Sequence, residues 1–338
     1  MNKITTIGLD LAKDVFHVMC CDARGKIVRK RMLKRGQVLA FFGNLEACLV
    51  GMEACAGAHY WGRELEELGF EVKLIPAQYV KAFVRGNKND YNDALAIAEA
   101  VERPEMRFVT IKTPAQQDIQ ALHRLRKGCV DARTDLCNQI RGLAGEYGLV
   151  APRGVAALRQ QIPQWLEDGD NGLSDLFRRL LSDSYVRLQE IDTHIVFYTK
   201  EVDRQSKQDE ACQRLQTIPG FGPIVSSVFH SQIGDGEAYR RGRDASAALG
   251  LVPRQHRSAG KDTLLGISKR GDSYLRSLLV HGARAVVSRA EHKDDRLSLW
   301  INKIRAKRGF NKAVVALANK MARIGWAVLA HKTVYQAA

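Results

Sequence analysis

The chain has 338 residues, of which 45% are hydrophobic and 26% charged, a balance that excludes disordered and collagen-like classes and suits two or three domains. Its formal charge of +15 is segregated: residues 1–238 hold 31 basic and 31 acidic side chains, whereas residues 239–338 hold 21 basic and six acidic ones. A neutral body with a cationic last third predicts a polyanionic partner, nucleic acid first, rather than a merely solvated surface.

No run approaches the ~18 uninterrupted apolar residues of a membrane span. The opening MNKITTIGLDLAKDVF has no apolar stretch between a basic start and a small-residue cleavage site. Seven cysteines (Cys20, Cys21, Cys48, Cys55, Cys129, Cys137 and Cys212) are scattered without a CxxC pair. The expectation is a cytoplasmic protein with reduced thiols, no membrane partner and no zinc frame.

In chain order, ITTIGLDLA, VFHVMCCDA and IVRKRMLK read as three antiparallel strands, with turns at Lys13-Asp14 and at 22–25. A helix around 38–45, a buried strand CLVGMEA, a helix over 60–68 closed by Gly69 and a strand EVKLIPA follow. Residues 115–147 and 173–216 are helical in character, the second free of Gly and Pro. In it Leu181, Leu188, Ile195 and Val202 form one heptad seam, and Phe177, Ile191 and Tyr198 the other, with Ser184 as the polar break. The first stretch has a weaker seam of Leu122, Cys129, Leu136 and Leu143. Two readings stand side by side: helices packed within one chain, or a coiled-coil contact between chains. Residues 151–172, with Pro152, Pro163 and three glycines, read as a linker.

Four acids stand where chemistry could use them. Asp10 ends the first strand, Glu53 lies in the apolar VGMEACAG, and Asp90 and Asp93 share one face of an incipient helix in NKNDYNDALAIAEA. A carboxylate in an apolar strand costs several kcal/mol unless something pairs with it. Two divalent cations, magnesium by the hardness of the oxygen donors, would offset that cost for all four and serve phosphodiester cleavage. Taken singly, each acid has a plain structural reading as a turn residue, an ion-pair partner or a helix cap. The motif G-x-D-x-A-K also opens actin-like sugar kinases, but no second phosphate loop or adenosine motif follows.

Downstream, TIPGFGPIVSSVF (217–229) has the form of a helix-hairpin-helix, in which Gly220 and Gly222 let backbone approach a phosphate. Ser258 sits in a basic, glycine-bearing segment among Arg254, Arg257 and Lys261, while Ser268 and Ser273 read as helix caps. Spacing alone does not choose among the serines. Lys269, Arg270 and Arg276 complete the set of expected phosphate contacts.

GLDLAK, MEACAG, NKNDYNDA, IPGFG, PRQHRSAGK and GISKRGDSYLR occur in this order through nearly the whole chain. Together they resemble the insertion sequence 110 family of transposases, specifically its 1111 subgroup, to which Piv-type DNA invertases are similar. The resemblance implies an N-terminal RuvC/RNase H-like α/β domain (1–112), a helical coiled-coil and oligomerisation region (113–210), and a mostly helical, basic C-terminal transposase domain (211–338). It carries the Asp-Glu-Asp-Asp set onto Asp10, Glu53, Asp90 and Asp93, and the nucleophilic serine onto Ser258. Where the family has Gly directly after this serine, the chain has Ala259 and then Gly260. The resemblance further implies donor and target DNA as substrates, a noncoding guide (bridge) RNA, and a dimer assembling to a tetramer with carboxylates and serine from different protomers. The alternatives are a metal-dependent nuclease or junction resolvase without serine catalysis, and a non-enzymatic nucleic-acid-binding protein.

Overall fold

The computed structural model describes residues 3–85, 89–258 and 261–337. The chain divides into two compact units, Met1–Pro114 and Ala115–Ala338.

The first unit is built on β1 (Thr6–Asp10), β2 (Val15–Cys21), β3 (Ile27–Lys34), β4 (Leu49–Glu53) and β5 (Glu71–Ile75). They form one sheet in the order β3-β2-β1-β4-β5. β1 is antiparallel to β2 and parallel to β4, and β4 is parallel to β5. The helices are α1 (Val38–Gly43), α2 (Ala58–Glu67), α3 (Ala77–Val80) and α4 (Asp90–Val101). Strand parity sorts side chains between the two faces. Ile7, Leu9, Phe16, Val18, Val50 and Met52 share one core with Val38 and Phe42 of α1 and Trp61 and Leu65 of α2. The alternate positions (Thr6, Gly8 and Asp10 of β1; Gly51 and Glu53 of β4) face α4.

Two glycines decide how closely α4 lies. Gly8 and Gly51 are register partners on β1 and β4. A Cβ on Gly8 would fall inside the van der Waals radius of the Ala94 carbonyl oxygen, and one on Gly51 would press on Ile97 and Val101. The missing side chains thus form a trough that receives the backbone of α4. Its C-terminal end is tied down where Thr6 Oγ1 donates to Glu102 Oε1 at 2.5 Å. The helix therefore runs back along β1, and its first turn arrives at the Asp10 end.

The second unit contains α5 (Pro114–Gly145), α6 (Val155–Glu167), α7 (Asp175–Gln208), α8 (Glu210–Gln216), α9 (Pro223–Ile233), α10 (Gly242–Ala248), the hairpin β6 (Pro253–Ser258) and β7 (Lys261–Ile267), α11 (Ser273–Ser288), α12 (Arg296–Arg308) and α13 (Phe310–Ala330). Residues 151–172, expected as a linker, instead carry α6, whose Leu158, Ile162 and Trp165 join Leu136, Ile140, Phe177 and Leu188 in one core. Pro163 lies well inside that helix. The heptad seam of α7 is buried at Phe177, Leu181, Leu188, Ile195 and Val202, within the chain. The weaker seam of α5 is buried at Leu136, while Leu143 is exposed.

The long helix expected over 173–216 breaks at Asp209. That residue is extended (φ −99°, ψ 112°), and its side chain accepts from the amides of Ala211 and Cys212 to cap α8. The same carboxylate lies 2.6 Å from His230 Nδ1 and receives the Cys212 thiol at 3.4 Å. Burial opposes ionisation of Asp209. The His230 hydrogen bond and charge, with the Cys212 amide, outweigh it and bring the carboxyl down to about 2. Burial and the Asp209 carboxylate hold the Cys212 thiol far above its usual range. The triplet is a satisfied polar knot that locks α8 onto α9.

α13 forms the centre of the C-terminal core, with Val314, Leu317, Met321 and Leu329 packed against Leu275, Leu279 and Phe229. Among the described residues it is the one helix long and apolar enough to cross a membrane by length and composition, and half of that window is buried inside the unit.

Candidate active site

At the C-terminal edge of β1 and β4, Asp10 and Glu53 stand on neighbouring strands, one residue beyond the last register pair, Leu9 with Met52. Across the trough, Asn89 caps α4 by accepting from the Tyr91 amide, which places Asp90 and Asp93 in the first turn. Acids there are favoured by the helix dipole. One carboxylate oxygen from each of Asp10, Asp90 and Asp93 lies within 4.8 Å of the other two.

Burial raises the Asp10 carboxyl to about 6, with Asp93 and then Asp90 adding repulsion; His17 opposes the shift, and Glu53 contributes a smaller rise. Glu53 is raised as well, by burial and then by Asp93. Glu53 thus belongs to the same electrostatic site, although its oxygens stand outside the tight trio. Uncompensated negative charge on hard oxygen donors is what a divalent cation relieves. The residues present fit such an ion.

His17 escaped the sequence reading. It is the register partner of Asp10 on β2, and its Nδ1 lies 3.7 Å from Asp90 Oδ2. Its ring meets the Tyr91 ring edge-on at 4.7 Å, and Lys30 Nζ stands 5.5 Å above that same ring. The available signal was a single polar residue in an otherwise apolar strand, VFHVMCC, at a position whose parity faces α4.

The C-terminal candidates are placed differently. Ser258 is the last residue of β6, and its backbone is the register partner of Lys261 at the start of β7. It therefore sits at the hairpin end; its side chain, that of Lys261, and Ala259 and Gly260 lie outside the described residues. Arg254, Lys269 and Arg270 are exposed. Arg276 donates through Nη1 to the carbonyls of Leu249 (3.2 Å) and Arg270 (2.8 Å), which clamps the 268–272 loop onto the end of α10.

The hairpin 217–222 joins α8 to α9 as expected from TIPGFGPIV. Gly222 is exposed at the N-cap of α9 with open space around it. Gly220, at φ 90°, is instead committed to packing: a Cβ there would press on Gly282 of α11 and Met321 of α13. The two glycines have separable roles.

A sheet edge that gathers acids from two strands and a helix is an arrangement suited to carboxylate-dependent cleavage of nucleic acid. Comparison with known proteins agrees. Residues 7–148 match a transposase family model with a DEDD motif in its name, and residues 212–297 match the transposase IS116/IS110/IS902 family. The chain is 46% identical over 335 residues to a Pseudomonas aeruginosa protein named "Probable family 20 transposase", covering 99% of each chain. It is 44% identical over 336 residues to the transposase for insertion sequence element IS1111A of Coxiella burnetii, covering 99% of this chain and 92% of the relative. Against the transposase for insertion sequence element IS1328 of Yersinia enterocolitica it is 41% identical over 341 residues, covering 99% of both. The chain belongs to the IS116/IS110/IS902 family of transposases, enzymes that cleave and rejoin DNA.

Proposed function

We propose that this transposase excises and inserts its own insertion sequence through two chemical centres: the carboxylate site of an N-terminal RuvC/RNase H-like domain, and Ser258 of a C-terminal transposase domain. The observation that carries the reading is the meeting of Asp10, Asp90 and Asp93 within 4.8 Å, with Asp10 pushed up to about 6. The strand order β3-β2-β1-β4-β5, with the acids at the ends of β1 and β4 and on α4, supports the RNase H-like assignment.

Asp10, Glu53, Asp90 and Asp93 would hold divalent cations, magnesium by donor hardness and two by the number of carboxylates. When bound, they supply Lewis acidity at the scissile phosphate. Ser258 Oγ attacks phosphorus; the Oγ–P bond forms as the bond to the sugar oxygen breaks. The serine proton leaves, and a proton returns to the departing sugar hydroxyl. The phosphoserine link preserves a phosphodiester for rejoining, when a second strand's hydroxyl attacks and releases Ser258. The backbone position of Ser258 at the end of β6, in register with Lys261 in a basic segment, supports this role. Arg254, Lys261, Lys269 and Arg270 would neutralise DNA phosphates around it, and Gly222 would offer backbone donors at the α9 N-terminus. Similarity to the insertion sequence 1111 subgroup supports a noncoding guide RNA and a dimer-to-tetramer assembly in which one protomer's carboxylates serve another's serine.

The test incubates purified protein, RNA transcribed from the element's flank, and labelled donor and target DNA with magnesium, then resolves products on a denaturing gel. A protease-sensitive protein–DNA adduct is expected from wild type and from neither Ser258→Ala nor Asp10→Ala. Free ends from wild type and Ser258→Ala alike, with none from Asp10→Ala, would show a RuvC-type nuclease and overturn the serine mechanism.

A further inference from the structure

Within the second unit, α10, β7, α12 and α13 enclose an open groove of about 1520 Å³. That exceeds the roughly 300–1,000 Å³ typical of small-molecule pockets and points to a polymer. Its rim carries Arg241, Arg243, Arg308, Lys312, Lys320 and Arg323, and none of the described lining side chains is acidic. Arg241 is partly engaged by Asp244, 3.7 Å away. The floor is apolar: Val315, Ala316 and Ala327 of α13 face Leu264 and Leu265 of β7. Leu264 is 66% exposed and Leu265 47%. The half of α13 that the core leaves uncovered is this floor. Beside it, Lys320 Nζ stands 4.5 Å over the Trp300 ring, so a cation and an aromatic plane share one wall.

We infer that this groove holds an unpaired DNA strand during strand transfer, with phosphates on the cationic rim and bases on the apolar floor. A duplex offers its phosphates outward and keeps its bases stacked, so it satisfies the rim and leaves the floor wet. An unpaired strand satisfies both, which is how sequence-tolerant single-strand sites are built. Strand cleavage and rejoining, the chemistry of this family, supplies unpaired ends. The inference rests on the chain being a DNA transposase and is independent of which residue is the nucleophile.

The test measures fluorescence anisotropy of the full-length protein with a labelled twelve-nucleotide oligo(dT) strand and, separately, a 20-base-pair duplex, across a salt series. Arg308→Glu with Lys312→Glu is expected to weaken oligo(dT) binding at least tenfold and to leave duplex binding within twofold. The oligo(dT) salt slope should fall by about 1.4, the value for two lost phosphate contacts on a single strand. The conservative pair Arg308→Lys with Lys312→Arg should restore binding. Leu264→Ser, at an exposed floor position, should weaken oligo(dT) severalfold and leave the duplex unaffected. Equal losses on both DNAs would reduce the groove to a general cationic field and overturn the inference. Unchanged oligo(dT) affinity with an altered mass by light scattering would mean that a second copy of the chain occupies it, which also overturns it. Asp10→Asn should bind oligo(dT) as wild type does, so failure of the carboxylate mechanism and failure of this groove read out separately.

Discussion

The two units handle like charge in opposite ways. In the first, one oxygen from each of three carboxylates lies within 4.8 Å of the others at the edge of a core, and Asp10 resists ionisation through burial first and its neighbours' repulsion second. In the second, six cations are spread around an open groove, where water screens them from one another. Repulsion confined to a point is relieved by a point charge, a metal ion. Repulsion spread over a long groove is relieved by a polymer with charges at intervals. The geometry of the charges, more than their number, separates the proposed catalytic site from the proposed binding surface.

The comparison breaks most visibly at Asp10. Asp10→Ala should lower DNA cleavage by roughly 10²–10³-fold, the scale of losing one group that stabilises developing charge, as measured by initial rates on labelled substrate. The next effect is steric. Gly8→Val should destabilise the first unit by about 1–3 kcal/mol, because α4 must lift from the sheet. Gly36→Ala, with nothing within 4 Å, should change stability by less than about 0.5 kcal/mol in the same denaturant titration. A Gly8→Val protein with unaltered stability would show that the trough does not set the height of α4.

A third effect sharpens the electrostatic half of the argument. Asp10 sits near 6 in the folded chain against an ordinary 3.8, so between those values the folded state holds a proton that the unfolded chain has released. Stability in the absence of divalent cations should therefore fall as pH rises from about 4 to about 6, and stay low above it. Asp10→Asn should flatten that slope and raise the melting temperature at pH 7 by a few degrees, while lowering cleavage on the scale given for Asp10→Ala. Magnesium should raise the melting temperature of wild type and leave Asp10→Asn nearly unmoved; an equal response would place the ion elsewhere.

The smallest effect lies in the second unit, where charge is paired instead of crowded. Asp209 is held near 2 by His230, so its contribution is present above pH 4 and is lost as pH falls from about 4 toward 2. Asp209→Ala should remove that acid limb and cost about 1 kcal/mol as a lost helix cap, measured by thermal melts across pH. Gly220→Ala should exceed it and Gly222→Ala should fall below it, since only the former position abuts Gly282 and Met321.

Much of the first unit could be read from sequence because strand parity is local. Thr6, Gly8 and Asp10 must share a face, as must Gly51 and Glu53, once β1 and β4 are strands. The charge of the last hundred residues was equally legible, as was the hairpin between α8 and α9. The break at Asp209 escaped because a cap within a Gly- and Pro-free run leaves no compositional mark. The helix α6 escaped because prolines and glycines masked the spacing of Leu158, Ile162 and Trp165. His17 escaped because its importance comes from its register partner, Asp10, and from Asp90 across the trough.

The amino-acid order by itself thus determined which residues were candidates: four acids on two strands and a helix, and a cationic C-terminal third. Tertiary structure alone decided which of them meet. Asp10 and Asp93 are 83 positions apart in sequence, and only the Gly8–Gly51 trough, by admitting the backbone of α4, brings their carboxylates together. The groove is gathered from α10, β7, α12 and α13, and its rim could be counted from composition but not located. Local pattern fixes the direction in which a side chain points, whereas proximity depends on packing between elements that no local pattern encodes.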